Sequence, residues 1–115
     1  MGRIPNVKEG LPTAALNALS ILGENIRTAR KRRGWTLEAM SSSMFVSRKT
    51  LASLEDGDPS VGLAVLAAAL HSFNMVKDLS MIADPNRDQV GMFNERQNLP
   101  KRVRQQKTKK ENLEF

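Results

Sequence analysis

Residues 36–57, reading TLEAMSSSMFVSRKTLASLEDG, constrain the fold more than any other stretch, because two helix starts stand only eleven residues apart. Thr36 is an N-cap by type: its hydroxyl can accept from a free backbone N–H two or three residues on, and Leu37, Met40 and Met44 then recur on one helical face. Ser47 supplies a second capping hydroxyl. Leu51 and Leu54 follow it at i, i+3 spacing, and Gly57 stands where a helix end needs a residue free to take positive φ. Two short helices with so little chain between them must turn back tightly, which predicts a helix-turn-helix. On the second helix Arg48, Lys49 and Ser53 fall between the apolar positions, so basic and hydroxyl groups face outward from a buried seam.

Such a face suits duplex DNA, whose major groove admits a helix and offers acceptors to basic side chains. The charge balance agrees: 18 Lys and Arg against 12 Asp and Glu give +6 and a pI near 10.2, which favours a polyanion through counterion release. Four Phe, one Trp and no Tyr leave few stacking platforms for single strands, so duplex DNA fits better than RNA. Zero cysteines exclude a disulfide framework, thiolate zinc and a Cys nucleophile, and the lone His71 forms no metal cluster. Ser41, Ser42 and Ser43 have no identifiable base. The expectation is therefore a non-enzyme with no cofactor. No apolar run approaches a membrane span, and MGRIPNVKEG lacks a charged start followed by an apolar block, so a soluble cytoplasmic protein is expected.

A chain of 115 residues supports one small domain with tails. Residues 1–11, with Gly2, Pro5 and Gly10 among polar residues, predict a flexible arm. Pro12 offers a first helical position, and Leu16, Leu19, Leu22, Ile26 and Ala29 keep helical spacing up to the basic run Arg30 to Arg33 and the stop at Gly34. With Gly23 as a kink or break, the pattern predicts a turn over about 12–19 and a helix over about 20–33. After the Asp58-Pro59-Ser60 turn, Leu63, Leu66, Ala67 and Leu70 form an apolar stripe that predicts a core helix to about Phe73. The segment Leu79 to Ala83 stays open between a helical turn and a short strand. Residues 12–84 are thus expected to form the domain. Residues 85–115, with six cations and no acid between Lys101 and Lys110, are expected to form a basic flexible tail.

These residues resemble the XRE, or lambda-repressor-like, family, whose pattern G-x-T-Q-x-x-L-A-x-x-x-G-[VI]-S-x-x-x-[IL]-S-x-[IL]-E-x-G stands here as Gly34-Trp35-Thr36, Met40-Ser41, Phe45-Val46-Ser47, Leu51, Leu54-Glu55 and Gly57. The match runs from Leu22 to Phe73, about half the chain. It implies an all-α, five-helix domain that binds a palindromic operator as a homodimer. Two positions depart from it. Leu37 replaces a phosphate-contacting Gln, and Phe45 replaces the turn Gly, where either a bulky residue takes positive φ at a cost on the order of 1 kcal/mol or the turn differs. The family also pairs an Arg at the end of helix one with the Glu closing the recognition helix, here Arg30 and Glu55, and a bidentate contact of that kind would fix one helix on the other. A narrower resemblance is to HipB-type antitoxins. It rests on the DGDPS turn, on Leu79-Ser80-Met81 at the place of a dimerising strand, and on the ending Asn112-Leu113-Glu114-Phe115. It implies a HipA-like kinase toxin as partner, with ATP and magnesium belonging to that partner.

Each candidate has a plain structural reading beside the functional one. Arg48 and Lys49 are either solvated helix residues or, at the first exposed positions of a recognition helix, donors to guanine O6 and N7 or to phosphate. Ser47 is either a cap or a short-range donor like Ser53. Thr36 with nearby backbone N–H groups is the phosphate contact left to the first helix. Arg32 and Arg33 either complement the helix dipole or touch phosphate. Trp35 fits a core lid, and the Met residues fit irregular gaps in core or interface. Leu113 and Phe115 either dock into a partner or belong to a solubilising tail. The sequence therefore predicts a dimeric repressor acting as the antitoxin of a HipA-type operon, with two alternatives: a stand-alone XRE-type regulator, or an adaptor that sequesters a partner protein.

Overall fold

A computed structural model describes residues 6–99, and within them the chain is all-α. Contacts divide it after Ser80. The first unit holds α1 (Val7–Gly10), α2 (Thr13–Arg32), α3 (Leu37–Ser43), α4 (Arg48–Glu55), α5 (Leu63–Ser72) and α6 (Lys77–Ser80). The second holds a 3-10 turn (Pro85–Arg87) and α7 (Gln89–Asn98). No strand forms among the described residues, and the segment left open between helix and strand is the helical turn α6 followed by non-helical turns. The ending with Leu113 and Phe115, and the cationic run from Lys101 to Lys110, lie outside the described residues.

Helix α4 packs on α2, α3 and α5. Its Leu51 and Leu54 join Ile26, Met40, Met44, Ala69 and Phe73 in the core, with Leu51 and Met40 the largest side chains wholly withdrawn from water. The starts of α3 and α4 follow the cap chemistry: Thr36 Oγ1 accepts from Ala39 N at 3.0 Å, and Ser47 Oγ accepts from Thr50 N at 3.0 Å. Helices α2 to α5 all end in one turn, in which the second residue past the helix's cap donates back across it. The bonds are Trp35 N to Arg30 O at 3.2 Å, Val46 N to Ser41 O at 3.1 Å, Asp58 N to Ser53 O at 3.0 Å and Met75 N to Leu70 O at 2.8 Å. The residue before each donor is left-handed: Gly34 at φ 71, Phe45 at 60, Gly57 at 77 and Asn74 at 60. These are Schellman ends, which satisfy helix carbonyls that would otherwise lack partners.

Three expectations need correction. The first long helix is unbroken at Gly23 and starts at Thr13, not near residue 20. Gly23 is a contact point, because a Cβ there would meet the backbone O of Leu54 at 2.7 Å, so the missing side chain lets α2 and α4 approach closely. The apolar stripe of α5 holds only in part: Leu66 and Leu70 pack against the core, but Leu63 is 79% exposed, and Ala69 and Phe73 are the buried residues. At 3.6 residues per turn Leu63 lies about a third of a turn from the line through Ala69. Finally, helices form where none was expected. Asn6 Oδ1 accepts from Glu9 N at 3.0 Å to start α1, Asp84 Oδ1 from Asn86 N at 2.9 Å and Asp88 Oδ1 from Gly91 N at 2.9 Å. Side-chain capping starts these short helices without apolar periodicity.

Candidate nucleic-acid interface

The seating of α4 begins with a buried ion pair. Arg30 donates from Nε to Glu55 Oε2 at 2.6 Å and from Nη2 to Oε1 at 3.0 Å, while its Nη1 donates to the Trp35 carbonyl at 3.0 Å. The Glu55 carboxylate is 1% exposed. A planar fork on a carboxylate fixes both distance and orientation, so the last turn of α4 is locked onto the end of α2. The hydrogen bond to Glu55, opposed by burial, holds the Arg30 pKa above its ordinary value.

Sequence reasoning missed the second cation of this network. Arg27 lies one turn before Arg30 and reaches Glu55 at 3.4 Å, Asp56 at 2.9 Å and Glu24 at 2.9 Å. Its hydrogen bond to Asp56 is the main cause that raises its pKa. Helical i, i+3 spacing of Glu24 and Arg27 was the signal available, but their link to Asp56 depends on how α2 and α4 pack.

With its end fixed, α4 presents its other end to solvent. Arg48, its first residue, and Lys49 are exposed. The Arg48 guanidinium meets one carboxylate, that of Glu38 on α3, at 3.7 Å, with both side chains mostly in water. Lys49 has no acidic partner among the described residues. Ser47 is engaged as cap and also shares a 2.8 Å hydrogen bond with the Thr50 hydroxyl. Thr36, exposed at the start of α3, is likewise a cap. Half-buried Ser53 lines a shallow cleft of about 280 Å³ with Lys49, Thr50, Asp58 and Ser60. Asp58 accepts there from the Ser60 hydroxyl at 2.7 Å and from its N–H at 2.9 Å, which keeps its pKa below the usual carboxylate range.

The two candidates at the end of α2 part company. Arg32 is exposed and unpaired among the described residues. Arg33 is committed elsewhere: it donates to Ala29 O at 3.0 Å and Phe73 O at 3.4 Å, with its guanidinium 4.7 Å from the centre of the Phe73 ring. Phe73 in turn stacks on Trp35 with centroids 5.8 Å apart. Trp35 is thus a half-buried lid, clamped by an arginine through cation–π contact.

A relative can be set beside this geometry. The chain is 25% identical over 80 residues to a competence pilus inhibition repressor of Acinetobacter baylyi, a match that covers 69% of this chain and 73% of that protein. It is similar to a repressor. No protein-family model matches the chain, and no solved structure does. No helix among the described residues is long and apolar enough to cross a membrane.

Proposed function

We propose that this protein is a transcriptional repressor that binds duplex DNA with the N-terminal end of α4. The observation that carries the proposal is the contrast along that helix: its C-terminal end is pinned by the buried Arg30–Glu55 fork, while Arg48 and Lys49 stand exposed at its start. A rigid helix with cations at its leading end can enter the major groove without reorganising the domain. Arg48 is the residue suited to guanine O6 and N7, Lys49 to a base or phosphate, and Ser53 in its cleft to a shorter contact. Ser47 and Thr36, each holding a free helix N-terminus, set backbone N–H groups toward phosphate. Arg32 joins them as a phosphate contact, whereas the packing of Arg33 on Phe73 argues for leaving it out. Similarity to a protein named as a repressor supports regulation by occupancy.

As a homodimer, the protein would place two recognition helices about 34 Å apart, one DNA turn, and read a palindrome. The test starts from a site selected out of random duplex DNA with the whole protein. Arg48→Ala with Lys49→Ala is expected to abolish retention of that site in a gel shift with helical content unchanged. Specific binding retained by the double variant would overturn the assignment of α4.

The finer reading, an antitoxin in a HipA-type operon, rests on the resemblance at the DGDPS turn and at the ending with Leu113 and Phe115, and loses the third support because Leu79 and Ser80 lie in the helical turn α6 and not in a strand. A kinase reading frame beside the gene, and loss of kinase binding when residues 113–115 are deleted, are the results expected of it. Unchanged kinase binding would reject docking by those residues.

A further inference from the structure

We infer that Phe45 is a specificity-determining residue whose ring contacts a thymine methyl group in the major groove beside the start of α4. The inference rests on the DNA-binding reading above and adds an apolar contact to it. Four helices of the first unit end in the same hydrogen-bonded turn, each with a residue of positive φ after the cap. Gly34, Gly57 and Asn74 are types that accept this conformation. Phe45, at φ 60, is a bulky residue in a region that disfavours it. Ala83, another residue at positive φ, carries only a methyl group.

A strained side chain persists where surrounding contacts hold it, and Phe45 has none among the described residues. It is 96% exposed, more than any other large hydrophobic residue among those described. Neither burial nor packing among the described residues offsets the strain, so the reason for a phenyl ring here lies outside them. Its place in the chain points to DNA. Phe45 precedes the cap Ser47 by two residues and Arg48 by three, and successive Cα atoms are about 3.8 Å apart. Its Cα therefore lies within about 12 Å of that of Arg48, close to the width of one major groove. A phenyl ring has no hydrogen bond to offer. The apolar feature of the major-groove edges is the thymine C5 methyl, and the cations of Arg48 and Lys49 favour a polyanion over a basic partner.

The experiment uses the full-length protein and the site it selects from random duplex DNA. Each thymine of that site is replaced in turn by uracil, which removes the methyl group alone. One thymine per half-site is expected to weaken wild-type binding by about threefold to fivefold when replaced, the scale of one buried methyl. The variant Phe45→Gly is expected to bind the thymine site more weakly by the same factor and to be indifferent to the replacement. Its melting temperature should match or exceed that of the wild type, since Gly relieves the turn, so weaker binding cannot be ascribed to unfolding. Phe45→Leu should restore part of the methyl dependence. Undiminished binding of the thymine site by Phe45→Gly, or equal uracil losses in both proteins, overturns the inference while leaving the recognition helix in place. Loss of binding to a protein partner by Phe45→Gly, with operator binding intact, reassigns the ring to a protein surface. Failure of the wild type to enrich any sequence refutes the DNA reading and this contact with it.

Discussion

Glu55 faces two arginines at once, and its 1% exposure makes that arrangement consequential. Removing one member of a buried pair leaves the other charge desolvated and unmatched, at a cost of about 3–5 kcal/mol. Glu55→Ala is therefore expected to lower the unfolding free energy by roughly that amount, read from urea denaturation, and to weaken operator binding because α4 loses its anchor. The Glu38–Arg48 contact is of another kind. Both side chains lie mostly in water, so Glu38→Gln should alter stability by less than about 0.5 kcal/mol. It should tighten DNA binding at low salt, because a carboxylate that repels phosphate and attracts Arg48 is gone. An unchanged affinity in a titration would place Arg48 away from the nucleic acid. Asp58 bears on acid stability. Its folded pKa is depressed by hydrogen bonds from Ser60, so its contribution is present above the unfolded value near 3.9 and is lost as pH falls through the lower folded value. Denaturation curves of the wild type and Asp58→Asn should differ at neutral pH and converge in acid.

At the scale of elements, the contact of α2 with α4 rests on an atom that is absent. Alanine favours a helix interior over glycine by about 1 kcal/mol, so propensity alone predicts that Gly23→Ala stabilises α2. The Leu54 carbonyl at 2.7 Å from the added Cβ, with the Glu55 carbonyl beside it, decides otherwise, since both neighbours are backbone and have no rotamer to yield. Forced separation of packed elements costs about 1–3 kcal/mol, and a lowered melting temperature is expected. The same position shows why some of the fold could be read from sequence and some could not. Caps at Thr36 and Ser47 and helix ends at Gly34 and Gly57 are set by chemistry within a few residues, and those signals stand in the chain. Gly23 looks like a helix breaker until α4 is laid beside it. Leu63 looks like core because it is apolar and periodic, yet among the described residues it is left mostly in water on its side of α5. Arg27 gains its role from Asp56, twenty-nine residues on. Of the candidate site, the cations at the head of α4 could be read locally, while the commitment of Arg33 to an aromatic lid needed the packed end of α5.

Charge is distributed unevenly along the chain. Residues 100–115 hold six Lys and Arg against two Glu, or +4 of the net +6, yet a run of cations carries no base-edge code. Residues 6–99, which hold α4, contribute only +1, with eleven Lys and Arg against ten Asp and Glu. On the proposed function, the terminal cations supply a sequence-independent, salt-sensitive term, and Arg48 and Lys49 supply discrimination. Replacing Lys101, Arg102, Arg104, Lys107, Lys109 and Lys110 by Gln in the full-length protein is expected to weaken binding to random duplex DNA strongly. The slope of log affinity against log salt should flatten by about 0.9 for each phosphate that is no longer neutralised. The ratio of operator to random-site affinity should survive, because the helix that reads the bases is untouched. Arg48→Ala with Lys49→Ala should do the reverse, collapsing that ratio while random-site binding persists through the terminal cations. If the six-Gln variant lost the ratio as well, those cations would have to contact bases, and division of labour between tail and helix would fail.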